Sequence, residues 1–75
     1  MAFEIIDREL EPDPRQMLIT DGVGFWVIVE SRAHGFLSAV VPADEHGNVT
    51  DWTPVAEYRG VPKAQAYEQF KADNA

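Results

Sequence analysis

Residues 24–41 read GFWVIVESRAHGFLSAVV, and this stretch decides the fold. Its first half, residues 25–29, is a run of five aromatic or β-branched residues. Such residues pack well on a pleated surface, and the run is too short to form an amphipathic helix by itself. A second apolar run covers residues 36–41, and the bend between the runs, residues 31–35, ends in Gly35, which can adopt a positive φ. The stretch therefore predicts a central β-hairpin.

The sequence before this hairpin predicts two more strands. Residues 3–10 mix apolar and charged side chains, which indicates an edge strand with a bend near Asp7. Residues 11–14, Glu-Pro-Asp-Pro, form a rigid connector, since each proline fixes φ and keeps its predecessor extended. Residues 16–20 hold a short apolar run that is followed by Asp-Gly, a strong signal for a hairpin turn. We therefore expect a strand here that pairs with the central hairpin.

The sequence after the hairpin is less regular. Pro42 is expected to end the second arm, because proline has no N–H for the ladder. Residues 49–52 are predicted to form a further strand, antiparallel to residues 36–41. The pattern in residues 55–60 leaves open a bulged continuation or a loop.

A helix is predicted at the C-terminal end. Pro62 suits a first helical turn, and the run to Asp73 is rich in good helix formers. Three residues at helical spacing make one apolar stripe: Ala66, Tyr67 and Phe70. The chain is therefore predicted to be one small domain, residues 1–75, with an α+β fold: an antiparallel sheet of four to five strands with one C-terminal α-helix packed on one face.

Composition limits the classes of partner. The 75 residues include 13 acidic and 6 basic side chains, a formal net charge of -7. This charge repels nucleic-acid phosphates and anionic lipids, so we expect no direct nucleic-acid partner and no membrane partner, and a basic protein fits better. There is no cysteine, which excludes disulfides and thiolate chemistry. The first residues lack the basic and long apolar regions of a signal peptide, so the expected location is cytoplasmic.

The sheet is expected to be more apolar than one helix can cover. A helix of about a dozen residues is roughly 18 Å long and covers part of one face, yet the central strands are apolar on both. The remaining apolar surface could be covered in three ways: the sheet curls on itself, two copies form a homodimer, or another protein binds. The leading hypothesis is a non-enzymatic protein-interaction module. Its candidate contact residues are Trp26 and Ile28 on a sheet face and the aromatic residues Trp52 and Tyr58.

The acidic N-terminal segment suggests an alternative function. On an extended strand four acidic residues would recur on one face about every 6.6 Å, close to twice the phosphate spacing along one DNA strand: Asp7, Glu9, Glu11 and Asp13. The chain would then be a nucleic-acid-mimicking inhibitor of a nucleic-acid-processing enzyme, such as a phage-type anti-defence protein. The competing interpretation is a solvated edge whose charges discourage aggregation.

Signals for catalysis or cofactor binding are weak. Ser31 and Ser38 do not occur in a nucleophile-elbow motif. His34 and residues 44–46, Asp-Glu-His, are the only polar candidates for a small enzyme or ligand-binding domain, our third hypothesis. Three adjacent residues do not converge on one ion, and no metal-binding His spacing is present. We therefore predict no enzymatic activity, no cofactor and no metal.

Overall fold

The fold is a five-stranded antiparallel meander followed by one helix. The computed structural model describes residues 2–10, 15–33 and 35–74. The strands follow one another in the sheet in the order β1-β2-β3-β4-β5. The elements are β1 (Glu4–Asp7), β2 (Gln16–Thr20), β3 (Phe25–Ser31), β4 (Leu37–Ala43), β5 (Ala56–Arg59) and α1 (Lys63–Asp73). This arrangement confirms the predicted α+β fold.

The central hairpin is confirmed. β3 and β4 pair over their whole length, from Phe25 opposite Ala43 to Ser31 opposite Leu37. Gly35 in the bend has a φ of 97°, a conformation that residues with a Cβ rarely adopt. The two apolar runs therefore lie side by side at the centre of the sheet.

The prediction that Pro42 ends the second arm is wrong, because β4 continues to Ala43. The Pro42 carbonyl accepts a 3.0 Å hydrogen bond from the N–H of Thr50. In an antiparallel strand the N–H and C=O of one residue point to the same side. The donor that proline lacks would therefore point away from β3, and its absence costs the β3–β4 ladder nothing.

The predicted strand at residues 49–52 is also wrong. Val49 makes only an isolated bridge to Ala43, and the fifth strand is β5, which pairs with residues 37–40. The N–H of Thr53 bonds instead to the carboxylate of Asp51 at 2.9 Å, and Pro54 has no N–H to offer. Local side-chain acceptors of this kind compete with a sheet ladder. The chain bonds to β4 again from Val55, whose N–H donates to the carbonyl of Val40 at 2.8 Å, and β5 begins at Ala56.

The N-terminal half agrees with the sequence prediction. β1 pairs with β2 as an edge strand, and a register shift between Ile5 and Asp7 produces the expected bend. The β2–β3 turn is held by Asp21, whose carboxylate accepts the N–H groups of Val23 at 2.9 Å and Gly24 at 2.8 Å. The connector predicted at residues 11–14 lies outside the described residues.

The helix covers one face of the sheet and packs over β3. It begins at Lys63 with Pro62 as its N-cap, one residue later than predicted, and its apolar stripe is buried as expected. Tyr67 also donates a 3.1 Å hydrogen bond to the carbonyl of Phe3, which joins the helix to the N-terminal segment. The core on this face consists of Phe3, Met17, Ile19, Ile28, Val40, Ala66, Tyr67 and Phe70.

The opposite face is closed by the chain itself. Leu18, Val27 and Val41 form its buried centre, and Val27 is 0% exposed. Leu10 from the N-terminal segment and Val49 from the loop after β4 pack against this centre. Segments of the chain itself thus cover the centre of this face, and β1 and β5 stand at opposite edges of the sheet rather than pairing into a barrel.

Candidate functional site

An apolar groove, which we call the β5 groove, lies between β5 and the C-terminal end of α1. Its volume is about 460 Å³. Val55 at its rim is 54% exposed, and Trp52, three residues earlier in the same connection, is 65% exposed. The lining residues are Trp26, Val55, Ala56, Tyr58, Phe70, Asp73 and Asn74. Apolar surface thus remains accessible at the β5 edge of the sheet.

Aromatic packing holds the wall of the groove. The rings of Trp26 and Phe70 lie 6.0 Å apart in a T-shaped arrangement, and Phe3 contacts both, at 5.7 Å from Trp26 and 5.2 Å from Phe70. Such ring pairs add to the energy of apolar burial. Gly24 leaves space for the indole, since a Cβ there would lie 3.0 Å from Trp26 Cη2. Trp26 is therefore half-buried in a fixed orientation.

Tyr58 brings the polar group of the groove. Its hydroxyl donates a 3.0 Å hydrogen bond to Oδ2 of Asp73 near the end of α1. Burial, together with this carboxylate, raises the pKa of Tyr58 to about 12. The phenol therefore stays protonated at neutral pH, and its hydrogen bond ties β5 to the helix.

The structure brings two of the predicted contact residues together and separates the others. Trp26 and Tyr58 line the same groove. Trp52 lies on the exposed connection that leads into it. Ile28, in contrast, is 0% exposed beneath α1 and is a core residue, because its side of β3 is the side that the helix covers. We therefore remove Ile28 from the candidate surface.

The acidic residues lie at the other edge of the sheet. β1 ends at Asp7, whose carboxylate accepts a 3.1 Å hydrogen bond from the N–H of Glu9. The chain thus turns at this point, so Asp7 and Glu9 do not continue along one strand face at regular spacing. Glu11 lies outside the described residues.

A second polar cluster surrounds Glu30, which sequence reasoning missed. This carboxylate is 5% exposed and accepts the backbone N–H of Lys63 at 2.9 Å and Nε of Arg32 at 3.0 Å. Burial by itself would raise the pKa of Glu30, but these hydrogen bonds outweigh it and hold the pKa below its usual value. Glu30 therefore caps a helix that has no side-chain cap of its own. The signal in the sequence that could have identified Glu30 is a charged residue in an otherwise apolar strand.

Residues 44–46, the described candidates of the third hypothesis, lie in a turn. The carboxylate of Asp44 accepts the N–H groups of His46 at 2.8 Å and Asn48 at 2.9 Å. These hydrogen bonds lower the pKa of Asp44, and the bond from the N–H of Asn48 has the largest effect. Among the residues that the structure describes, His, Asp and Glu side chains form no group of three that could hold a metal ion. His34 lies outside those residues.

Comparisons with known proteins provide no relative for this chain. It matches no family model, no curated protein and no solved structure. Within residues 2–10, 15–33 and 35–74, no helix is both long and apolar enough to cross a membrane.

Proposed function

We propose that the chain is a non-enzymatic, cytoplasmic protein-interaction module that binds a basic protein through the β5 groove and Trp52. The observation that carries this proposal is the exposure of Trp52 and Val55 beside an aromatic groove. Tryptophan and tyrosine are the residue types most enriched at interface hot spots. The contact surface is therefore the groove and its rim.

The chemistry of the groove supports binding rather than catalysis. Its two ionisable side chains, Tyr58 and Asp73, bond to each other at 3.0 Å. A phenol with a pKa of about 12 is a poor proton donor or acceptor at neutral pH. The remaining lining is apolar except for Asn74. The groove is thus suited to an apolar side chain, with Asp73 available to a neighbouring cation.

The charge of the chain supports a basic partner. A net charge of -7 on 75 residues attracts cationic surfaces and accelerates their encounter at low ionic strength. Affinity for the partner is therefore expected to fall as salt is added, while the apolar contacts at Val55 and Trp52 persist.

Two variants test the contact surface, Val55→Asp and Trp52→Ala, with Ile6→Asp as a matched control. Ile6 is 49% exposed on β1, at the opposite edge of the sheet. The binding of a captured protein to each variant is measured by calorimetry. That protein is the partner if Val55→Asp and Trp52→Ala each weaken its binding at least about tenfold, as hot-spot truncations do. The control Ile6→Asp should leave its binding unchanged. Equal binding by all three variants would rule out the β5 groove as the interface.

A nucleic-acid-mimicking inhibitor stays the alternative proposal, supported by the net charge and by the exposure of Glu9. It predicts that Glu9→Lys and Glu11→Lys abolish inhibition of a nucleic-acid-processing enzyme, whereas Val55→Asp leaves inhibition unchanged. The reverse pattern, with binding lost only on substitution of Val55, would favour the groove.

A further inference from the structure

β5 is an edge strand with an unpaired side. In the described part of the chain no strand lies beyond it. The N–H of Gly60 bonds to the carbonyl of Phe36 at 2.7 Å, and Tyr58 lies opposite Ser38. Because the direction of the backbone groups alternates along a strand, Tyr58 and Gly60 turn theirs toward β4. The N–H and C=O groups of Glu57 and Arg59 therefore point outward, free to pair with another strand.

The two edge strands, β1 and β5, differ in how well they are protected against pairing with another strand. β1 has a register shift between Ile5 and Asp7, and both of its charged residues are acidic. A bulge and like charges are devices that discourage pairing of an edge with another strand. From Ala56 to Arg59 β5 pairs with β4 in one register, preceded by a 2.8 Å bond from the N–H of Val55 to the carbonyl of Val40, and its outward-facing positions have opposite charges, Glu57 and Arg59. The β5 edge is thus complementary to itself.

We propose that β5 pairs antiparallel with β5 of a second copy of the chain, so that Glu57 of each copy lies opposite Arg59 of the other. Both residues of such a pair direct their backbone groups outward, and the two residues exchange two hydrogen bonds. Tyr58 then lies on the two-fold axis. The result is a closed, isologous dimer in which the two sheets form one continuous sheet.

Charge selects this register over its neighbours. A shift by two residues would place Glu57 opposite Glu57, or Arg59 opposite Arg59, and like charges directly opposite each other are destabilising. A shift by one residue would set outward groups against groups already bonded to β4, and no ladder would form. In the proposed register both outward pairs have opposite charges, which offsets part of the repulsion between two copies of net charge -7.

This inference does not depend on the proposed function, although the two surfaces are adjacent. Tyr58 lines the β5 groove. Pairing about Tyr58 therefore brings the grooves of the two copies next to each other, and a dimer would present two binding grooves at one junction.

Sedimentation equilibrium with charge variants tests the pairing. Over about 10 µM to 1 mM, the range for weak interfaces, the wild-type mass is expected to rise from 8.4 kDa toward twice that value. Glu57→Arg and Arg59→Glu should each remain monomeric, because each places like charges opposite each other. An equimolar mixture of these two variants should associate again, since every pair across the strands is then oppositely charged. Glu68→Arg on the exposed side of α1 is the control and should associate like the wild type.

Circular dichroism of each variant separates loss of pairing from loss of folding. The proposal is overturned if the wild type stays at 8.4 kDa throughout the concentration range. It is equally overturned if both single variants associate as the wild type does, or if they fold but their mixture remains monomeric. Recovery in the mixture cannot come from a change in folding, so this outcome directly supports the Glu57–Arg59 register.

Discussion

Glu30→Gln tests how the helix is attached to the sheet. The Glu30 carboxylate accepts one hydrogen bond from the N–H of Lys63, at the start of α1, and another from Arg32. Glutamine has the same shape but only one side-chain oxygen, so its amide nitrogen must face one of these two donors. The substitution therefore removes one hydrogen bond and the negative charge at the helix N-terminus without creating a cavity.

The expected loss of stability follows from these contacts. A hydrogen bond to a charged group contributes about 1.5–3 kcal/mol, and a charge at a helix terminus contributes about 0.3–1 kcal/mol. Part of the hydrogen-bond contribution is kept, because the side-chain oxygen of the glutamine still accepts one hydrogen bond. We therefore expect the free energy of unfolding to fall by about 2 kcal/mol and Tm to fall by about 10 °C in a domain of this size.

Urea denaturation at several pH values measures both the loss and its origin. The pKa of Glu30 is lowered in the folded chain, so its stabilising effect is complete above the unfolded-state pKa, about 4.3. The effect disappears as pH falls through the folded-state pKa, because the protonated carboxyl has lost its charge. The difference in unfolding free energy between wild type and Glu30→Gln should thus be largest near neutral pH and shrink as the pH falls below the unfolded-state pKa.

Glu4→Gln on β1 is the matched control, since this glutamate is exposed. Its effect on stability is expected to stay within about 0.5 kcal/mol, as for most surface substitutions. The reasoning is refuted if Glu30→Gln unfolds at the same urea concentration as the wild type. A difference that stays constant down to the acid limit would also refute it, because the loss would then not come from the charge.

Two further predictions concern the closed face and the groove. Gly47 has a φ of 86°, and a Cβ there would lie 2.6 Å from Cδ2 of Leu10, so Gly47→Ala should lower the unfolding free energy by about 2 kcal/mol. An unchanged urea midpoint would show that Leu10 does not cover this turn. Tyr58 should titrate with a pKa of about 12 in the ultraviolet absorbance of a Tyr67→Phe variant, where it is the remaining tyrosine. Since the unfolded-state value is about 10, stability should fall as pH rises from there, and a transition near pH 10 would contradict the bond to Asp73.

Much of the architecture could be predicted because its signals are local. The apolar runs of the central hairpin, the Asp-Gly turn and the helical stripe each depend on residues a few positions apart. Pro42 and the fifth strand were mispredicted because their outcome depends on neighbours distant in sequence. Pro42 is tolerated only because its missing donor would face away from β3, and the strand at residues 49–52 fails where Asp51 binds the backbone.

The candidate site was only partly predictable. Trp26 and Tyr58 were identified by residue type, and the structure places both in one groove. Ile28 has the same strand pattern as Trp26 but lies deep beneath the helix, and no local signal separates the two. Glu30 was not identified from the sequence, and its partner Lys63 is 33 residues away.

The sequence by itself determined which segments become strands and helix, since periodicity, turn residues and helix formers act over short distances. Only the tertiary structure decided how the second face is covered. Leu10 from the N-terminal segment and Val49 from the loop after β4 pack against this face, and Cδ2 of Leu10 lies where a Cβ of residue 47 would meet it at 2.6 Å. Such closure depends on the shapes of segments that are distant in sequence, so it leaves no periodic pattern in the chain.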